Sequence, residues 1–190
     1  MSERPSEPGP SSLVVVGGLP GSGKTSVAEP LSHLLGRPLL DKDTIKEALL
    51  DSLGWADEDD SRRLGMAAME VLWALAGRMP SAILESNWGL RDRHAERLVA
   101  LGRPLVQVHC EAAADVLHDR IVERSRTGRH PGHRDAIRPE GLAGEVRRLA
   151  IAGWPPLELP GPLLRVDTTS GAVDVEALAR AVLVAERTCG

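Results

Sequence analysis

Phenylalanine and tyrosine are absent from this 190-residue chain, and four tryptophans supply all of its aromatic character. With so few rings there is no interleaving of basic and aromatic side chains of the kind that tracks a nucleic-acid strand. Lysine is scarce as well: Lys24, Lys42 and Lys46 stand against twenty arginines. Arginine is accepted almost everywhere else, so each lysine is worth examining. The two cysteines, Cys110 and Cys189, fall in no metal-ligand or redox spacing. No apolar run approaches the ~20 residues that span a bilayer, and a formal charge of −4 offers no general basic field for nucleic acid or anionic membranes. These absences predict a reduced, cytoplasmic protein with no membrane partner, a monomer or homodimer.

The length suits one domain, able to bury about 70% of its unfolded surface. The opening "MSERPSEPGPSS" is rich in Pro, Ser and Gly and lacks the apolar centre of a secretory signal. It predicts a loose tail over residues 1–11 ahead of a single domain over 12–190. Within that domain, short apolar runs alternate with longer amphipathic stretches, which is the pattern of a parallel sheet covered by helices. Strands are predicted near 12–17, 37–40, 81–86, 103–110 and 162–168. Helices are predicted near 24–35, 43–53, 61–78, 90–101, 112–125, 139–151 and 174–187. The fold class is therefore α/β, three layers around a five-stranded parallel sheet.

The strongest chemical signal follows the first strand. Gly18, Leu19, Pro20, Gly21, Ser22, Gly23, Lys24 and Thr25 match G-x-x-x-x-G-K-[ST] at every fixed position, with Ser26 next in line. A buried strand leads into the loop and a helix leads out, as this phosphate-gripping motif requires. Its glycines let successive N–H groups turn inward as an anion nest, Lys24 can reach β- and γ-phosphate oxygens, and Thr25 can ligate Mg²⁺. The loop is suited to ATP. The G-x-G-x-x-G spacing of dinucleotide binders is absent, as is the N-K-x-D base-reading motif of signalling GTPases.

The phosphate loop is followed by "KDTIKEAL" after the second strand and by "AILESNW" at the third. Together these resemble the small P-loop kinase group that includes chloramphenicol phosphotransferase, gluconate kinase, zeta-type toxins and the kinase half of polynucleotide kinases. The resemblance implies a fold like that of nucleoside monophosphate kinases, with a lid, here about 125–138. It implies that Asp43 lies beside the acceptor hydroxyl as general base, a role generally worth about 10²- to 10⁴-fold in rate. Capping of the helix beginning at Thr44 is the other office open to Asp43, and Asp41 is the reserve candidate for base. By the same resemblance Glu85 would lie beside the loop at the end of the third strand, holding the Mg²⁺ water shell. Asn87 and Trp88, one step out, would face the acceptor, although Trp88 suits the core equally well.

"VLHDRIVERSRTGRHPGHRD" resembles the helix and loop that enter such a lid. Arg124 is the first choice for a residue closing over the triphosphate, with Arg126 and Arg129 following; Arg120 shares a helix face with Arg124. In "RHPGH", His130 and His133 flank a Pro-Gly turn and face the lid or substrate rather than a metal. In "RVDTTSG", Thr168 and its neighbours contact the base through backbone groups or else form an ordinary turn. In "GWADEDDSRR", Trp55 would stack on the acceptor, while Asp57, Glu58, Asp59 and Asp60 would favour a cationic acceptor or simply lead into a helix. The function so implied is transfer of the γ-phosphate of ATP, with Mg²⁺, to a hydroxyl of an antibiotic, sugar or nucleoside. The alternatives are a polynucleotide 5′-hydroxyl kinase and a non-catalytic ATP-binding switch.

Overall fold

The computed structural model describes residues 11–127 and 130–188. All but Ser11 of the expected tail, and Arg129 of the expected lid, lie outside them. Five strands, β1 (Leu13–Gly17), β2 (Leu39–Asp41), β3 (Ala82–Glu85), β4 (Leu105–Glu111) and β5 (Leu163–Asp167), form one sheet in the order β2-β3-β1-β4-β5. Every pairing is parallel. Consecutive parallel strands need crossovers, which carry α1 (Lys24–Leu35), α2 (Lys42–Leu53), α3 (Glu58–Ala76), α4 (Arg91–Ala100), α5 (Ala114–Arg126) and α7 (Pro139–Ala152), and α8 (Val175–Glu186) follows β5. A single turn, α6 (Arg134–Ile137), stands inside the region expected to be irregular.

The central strand β1 is buried at every residue, and its alternation divides the core in two. Val14 and Val16 face α1 and α8, meeting Val27, Leu31 and Val182. Leu13 and Val15 face the opposite way, towards Leu72 and Trp73 of α3 and Leu98 of α4. A third cluster joins Leu19 of the phosphate loop to Leu117 and Ile121 of α5 and to Val146 of α7. The loop is thereby anchored to the helix pair that carries the lid.

Far from the carboxyl ends of the strands, Arg37 forms a buried two-pronged ion pair with Glu186, and Ser12 donates to the same carboxylate. The start of β1, the turn after α1 and the end of α8 are thus tied together by charged groups that satisfy one another. At the opposite edge of the sheet, the chain order reverses on either side of β1. That reversal opens a crevice above the strand ends, where open α/β sheets take their ligands.

Candidate functional site

The loop Gly18–Gly23 crosses the end of β1 and enters α1 at a helix start with no side-chain cap and no acidic residue in its first turn. Its first N–H groups and the positive end of the helix dipole are left for an anion. Backbone geometry explains the glycines. Gly18 has φ +145°, and a Cβ there would lie 2.2 Å from the carbonyl oxygen of Cys110. Gly21 has φ +82°, with a Cβ position 2.9 Å from the carbonyl oxygen of Leu117. The loop therefore lies flat on β4 and α5 as no side chain would allow.

Inside this cradle Lys24 Nζ donates to the carbonyl oxygen of Leu19 at 3.1 Å. Thr25 Oγ1 donates to Glu85 Oε2 at 2.9 Å, across the β1/β3 pairing. Glu85 is only 4% exposed. Burial pushes its carboxyl up to about 7, against the pull of Lys24, and the carboxylates of Asp41 and Asp43 push the same way. A buried acid surrounded by other acids and a threonine hydroxyl suits a hydrated cation beside a triphosphate.

Asp41 and Asp43 have separate tasks. Asp41 caps α2: its two carboxylate oxygens accept from Asp43 N at 2.9 Å, from Thr44 N at 3.0 Å and from Thr44 Oγ1 at 2.6 Å. The capping role considered for Asp43 belongs to Asp41, whose extended backbone precedes the helix. Asp43 lies in the first turn, where it accepts from Lys42 Nζ at 2.9 Å and borders the crevice.

The crevice holds three adjoining cavities. A central one of about 140 Å³ is bounded by Lys24, Thr25, Asp41, Asp43, Glu85 and Arg124. Lys42, Lys46, Asn87 and His133 border it too, so all three lysines of the chain meet in one space. On one side a cavity of about 520 Å³ shares Lys24, Thr25 and Arg124 and runs past Ser26 to Thr168 and Val173. On the other, a cavity of about 600 Å³ shares Lys42, Lys46 and Asn87. Arg124 thus stands where the first two meet, while Arg126 is exposed at the end of α5 and borders none of the three.

Several expected site residues serve the scaffold instead. Trp88 is 2% exposed, with its ring against Trp73 and His94 and its Nε1 donating to the carbonyl oxygen of Val16 at 2.9 Å. It is the one non-glycine among the described residues with positive φ, 52°. That turn of the backbone swings the indole under β1 rather than out to an acceptor. Thr168 borders the 520 Å³ cavity, but its groups are engaged: its N donates to Glu111 O, Oγ1 lies 3.0 Å from Ser22 O, and Arg120 donates to both its oxygens. Arg120 also donates to Gly21 O, so it braces the phosphate loop against the turn after β5.

Trp55 lies beyond the far end of α2, a 12-residue helix with Asp43 in its first turn, and borders none of the three cavities. The acidic run beside it is engaged locally. Asp57 caps α3, which consequently starts at Glu58; Glu58 pairs with Arg138, Asp59 with Arg62, and Asp60 with Arg63. These carboxylates tie loop and helix together, and none of them borders the three cavities.

Residues 130–133, within the segment expected to be the lid, pack on α2 and α3. Gly132 O accepts from Ser61 Oγ at 2.5 Å and from Lys46 Nζ at 3.4 Å, while His130 meets Asp51 and His133 meets Glu47. The sequence reading passed over Lys46, His94 and Trp73 as site residues. The scarcity of lysine was the signal that pointed to Lys42 and Lys46. No described helix is long and apolar enough to cross a membrane.

Comparison with known proteins agrees with this architecture. A protein of Chloroflexus aurantiacus, assigned as a kinase by inference, superposes with a TM-score of 0.82 at 38% identity, covering 93% of this chain and 98% of its own. A gluconokinase of Sinorhizobium meliloti superposes with a TM-score of 0.57 at 18% identity, covering 95% and 94%, and shares the fold. An uncharacterized protein of Mycobacterium tuberculosis is 32% identical over 127 residues, 60% of this chain and 26% of that protein. The chain thus spans about a quarter of the length of the curated relatives it matches. The sheet order and phosphate loop are those of the P-loop fold in its nucleoside-monophosphate-kinase-like form, which implies nucleotide binding. A family model described as an AAA domain matches residues 13–139, and the chain belongs to that P-loop family.

Proposed function

We propose that the protein is a phosphotransferase that moves the γ-phosphate of ATP to a hydroxyl of a small molecule, with Mg²⁺. The observation that carries this reading is the meeting of Lys24, Thr25, Glu85, Asp43 and Arg124 around one central cavity, with a wider cavity opening on each side. A nucleotide needs one side and an acceptor the other. A switch that only binds or hydrolyses ATP has no use for the second.

In this reading the nucleotide lies along the 520 Å³ cavity, its phosphates on the N–H groups of residues 18–25. Thr25 and Glu85 fit Mg²⁺, which usually keeps several waters and takes one or two carboxylates besides phosphate oxygens. When bound, it neutralises charge on the transferring group. Lys24 and Arg124 oppose the charge that spreads over the phosphoryl oxygens in the transition state. Asp43 takes the acceptor proton as the hydroxyl oxygen forms its bond to the γ-phosphorus, and the bond from that phosphorus to the β–γ bridging oxygen breaks to release ADP. Docking of the lid on Lys46 and Ser61 keeps competing water out.

The test is acceptor-dependent release of ADP across antibiotics, sugars, nucleosides and 5′-hydroxyl oligonucleotides, with Lys24→Ala as the blank. Asp43→Asn is expected to lower turnover about 10²- to 10⁴-fold while ATP binding is retained. ADP release that ignores every acceptor and survives Asp43→Asn would instead favour the switch.

A further inference from the structure

The 600 Å³ cavity has a charge at odds with its chain. Lys42, Lys46, Arg62, Arg93 and Arg97 border it, and Glu70 is the one carboxylate in its lining. Arg97 holds Glu70 with both nitrogens of its fork, at 2.5 and 2.9 Å. Lys42 meets Asp43 at 2.9 Å and Arg62 meets Asp59 at 3.5 Å, whereas Arg93 has no ion pair among the described residues. Among the described residues the lining itself holds five cations and one carboxylate, in a protein whose formal charge is −4. A concave site lined with one sign of charge concentrates ligands of the other.

A further feature suits a ligand with more than charge. Met66 and Met69 border the same cavity with apolar surface able to take a hydrocarbon body, and Trp73, 6% exposed and lying under the Arg97 guanidinium, backs them. His94 also borders it, 8% exposed, and its Nδ1 is buried with no hydrogen-bond partner. Burial holds this imidazole below its usual pKa, against the opposing effect of a hydrogen bond with the Trp88 backbone.

We infer that this cavity is the acceptor site and that it takes a hydroxylated anion, a compound bearing a carboxylate or phosphate beside its hydroxyl, with its body on the methionines. The inference rests on the phosphotransferase reading and names its class of substrate. Arg62, Arg93 and Arg97 border this cavity and not the central one, so an anionic group held by them leaves the hydroxyl end to Asp43. A guanidinium presents paired donors that match either anion.

The experiment is calorimetric titration of the full chain, loaded with Mg²⁺ and a non-hydrolysable ATP analogue, with matched compounds: gluconate and glucitol, mandelate and phenylethanediol, glycerol phosphate and glycerol. At least one anion is expected to bind about tenfold more tightly than its neutral partner. The carboxylate and phosphate pairs tell which anion is preferred. That advantage should shrink with added salt and in Arg93→Gln, and return in part in Arg93→Lys. If no anion in the series outbinds its neutral partner, or if the Arg62→Gln, Arg93→Gln double variant keeps the preference intact, the inference is overturned. Phosphate transfer from ATP to the same compounds separates the two ideas. Transfer to neutral hydroxyls without anion preference sinks this inference and leaves the phosphotransferase standing; selective anion binding with no transfer to any compound counts against the phosphotransferase reading and leaves the cavity an anion site only.

Discussion

At the phosphate-loop end of the crevice, eight consecutive residues, Gly18–Thr25, supply a cradle made mostly of backbone, packed on Cys110 and Leu117 and braced by Arg120. At the other end, the 600 Å³ cavity takes its lining from α2, α3, the turn after β3, and α4, with charged side chains such as Arg62, Arg93 and Arg97 among it. A backbone cradle recognises what all nucleotides share, and it tolerates little change because each atom also holds the fold. A cavity of side chains from separated helices can alter its preference one residue at a time. One frame can thereby keep its nucleotide while its acceptor differs.

Four substitutions test that contrast. The largest effect is expected from Gly18→Ala. Its Cβ would meet a carbonyl oxygen at 2.2 Å in a backbone region suited to glycine, so roughly 2–6 kcal/mol of stability should be lost together with nucleotide affinity. Chemical denaturation and nucleotide titration measure both. A Gly18→Ala protein of unaltered stability and affinity would show that the loop is not as tightly confined as its geometry requires.

The Glu85 carboxyl, at about 7 in the folded state against 4.5 for the free group, gives the next effect. Between those values the folded protein holds a proton that the unfolded chain has released, so this contribution to stability is complete below pH 4.5 and is lost as pH rises through 7. At ~1.4 kcal/mol per pH unit the loss amounts to about 3 kcal/mol over the window. Melting temperatures of the nucleotide-free protein should therefore fall across it. Glu85→Gln should flatten the trend while weakening the effect of added Mg²⁺.

Trp88→Phe removes the indole N–H that meets Val16 O, although Ser86 N still donates to that oxygen at 3.3 Å. A loss of about 1 kcal/mol in unfolding experiments is expected, with the Michaelis constant for the acceptor unchanged. A shifted Michaelis constant at full stability would return Trp88 to the acceptor site. The smallest effect is expected from Asp59→Asn, whose exposed pairing with Arg62 at 3.5 Å is worth under about 1 kcal/mol. It should leave stability nearly unchanged; a marked loss of affinity for a cationic acceptor would reinstate the acidic loop as a recognition element.

Much of the frame was legible from local pattern. The run at Leu13 to Val16 and the loop that follows are contiguous, and their chemistry depends on order along the chain rather than on partners far away. Helix periodicity located α1, α4 and α8 to within a residue or so. The start of α3 at Glu58 rather than 61 was missed because the cap at Asp57 lay inside an acidic run that resembled solvated loop. The separate tasks of Asp41 and Asp43 turn on two residues of register, finer than propensity resolves. Trp88 turned inward through one positive φ, which its burial against Trp73 and His94 holds in place.

By itself, then, the order of residues determined the phosphate loop, the alternation that yields a parallel sheet, and the membership of Lys24 and Thr25 in one grip, since each depends on neighbours a few positions apart. Tertiary structure alone decided which cations surround the wide cavity, that the carboxylates of 57–60 serve a helix start, and that all three lysines share one space. Those facts depend on how α2, α3 and α4 are set against each other by the burial of Leu72, Trp73 and Leu98, and packing of that kind joins residues that sequence spacing keeps far apart.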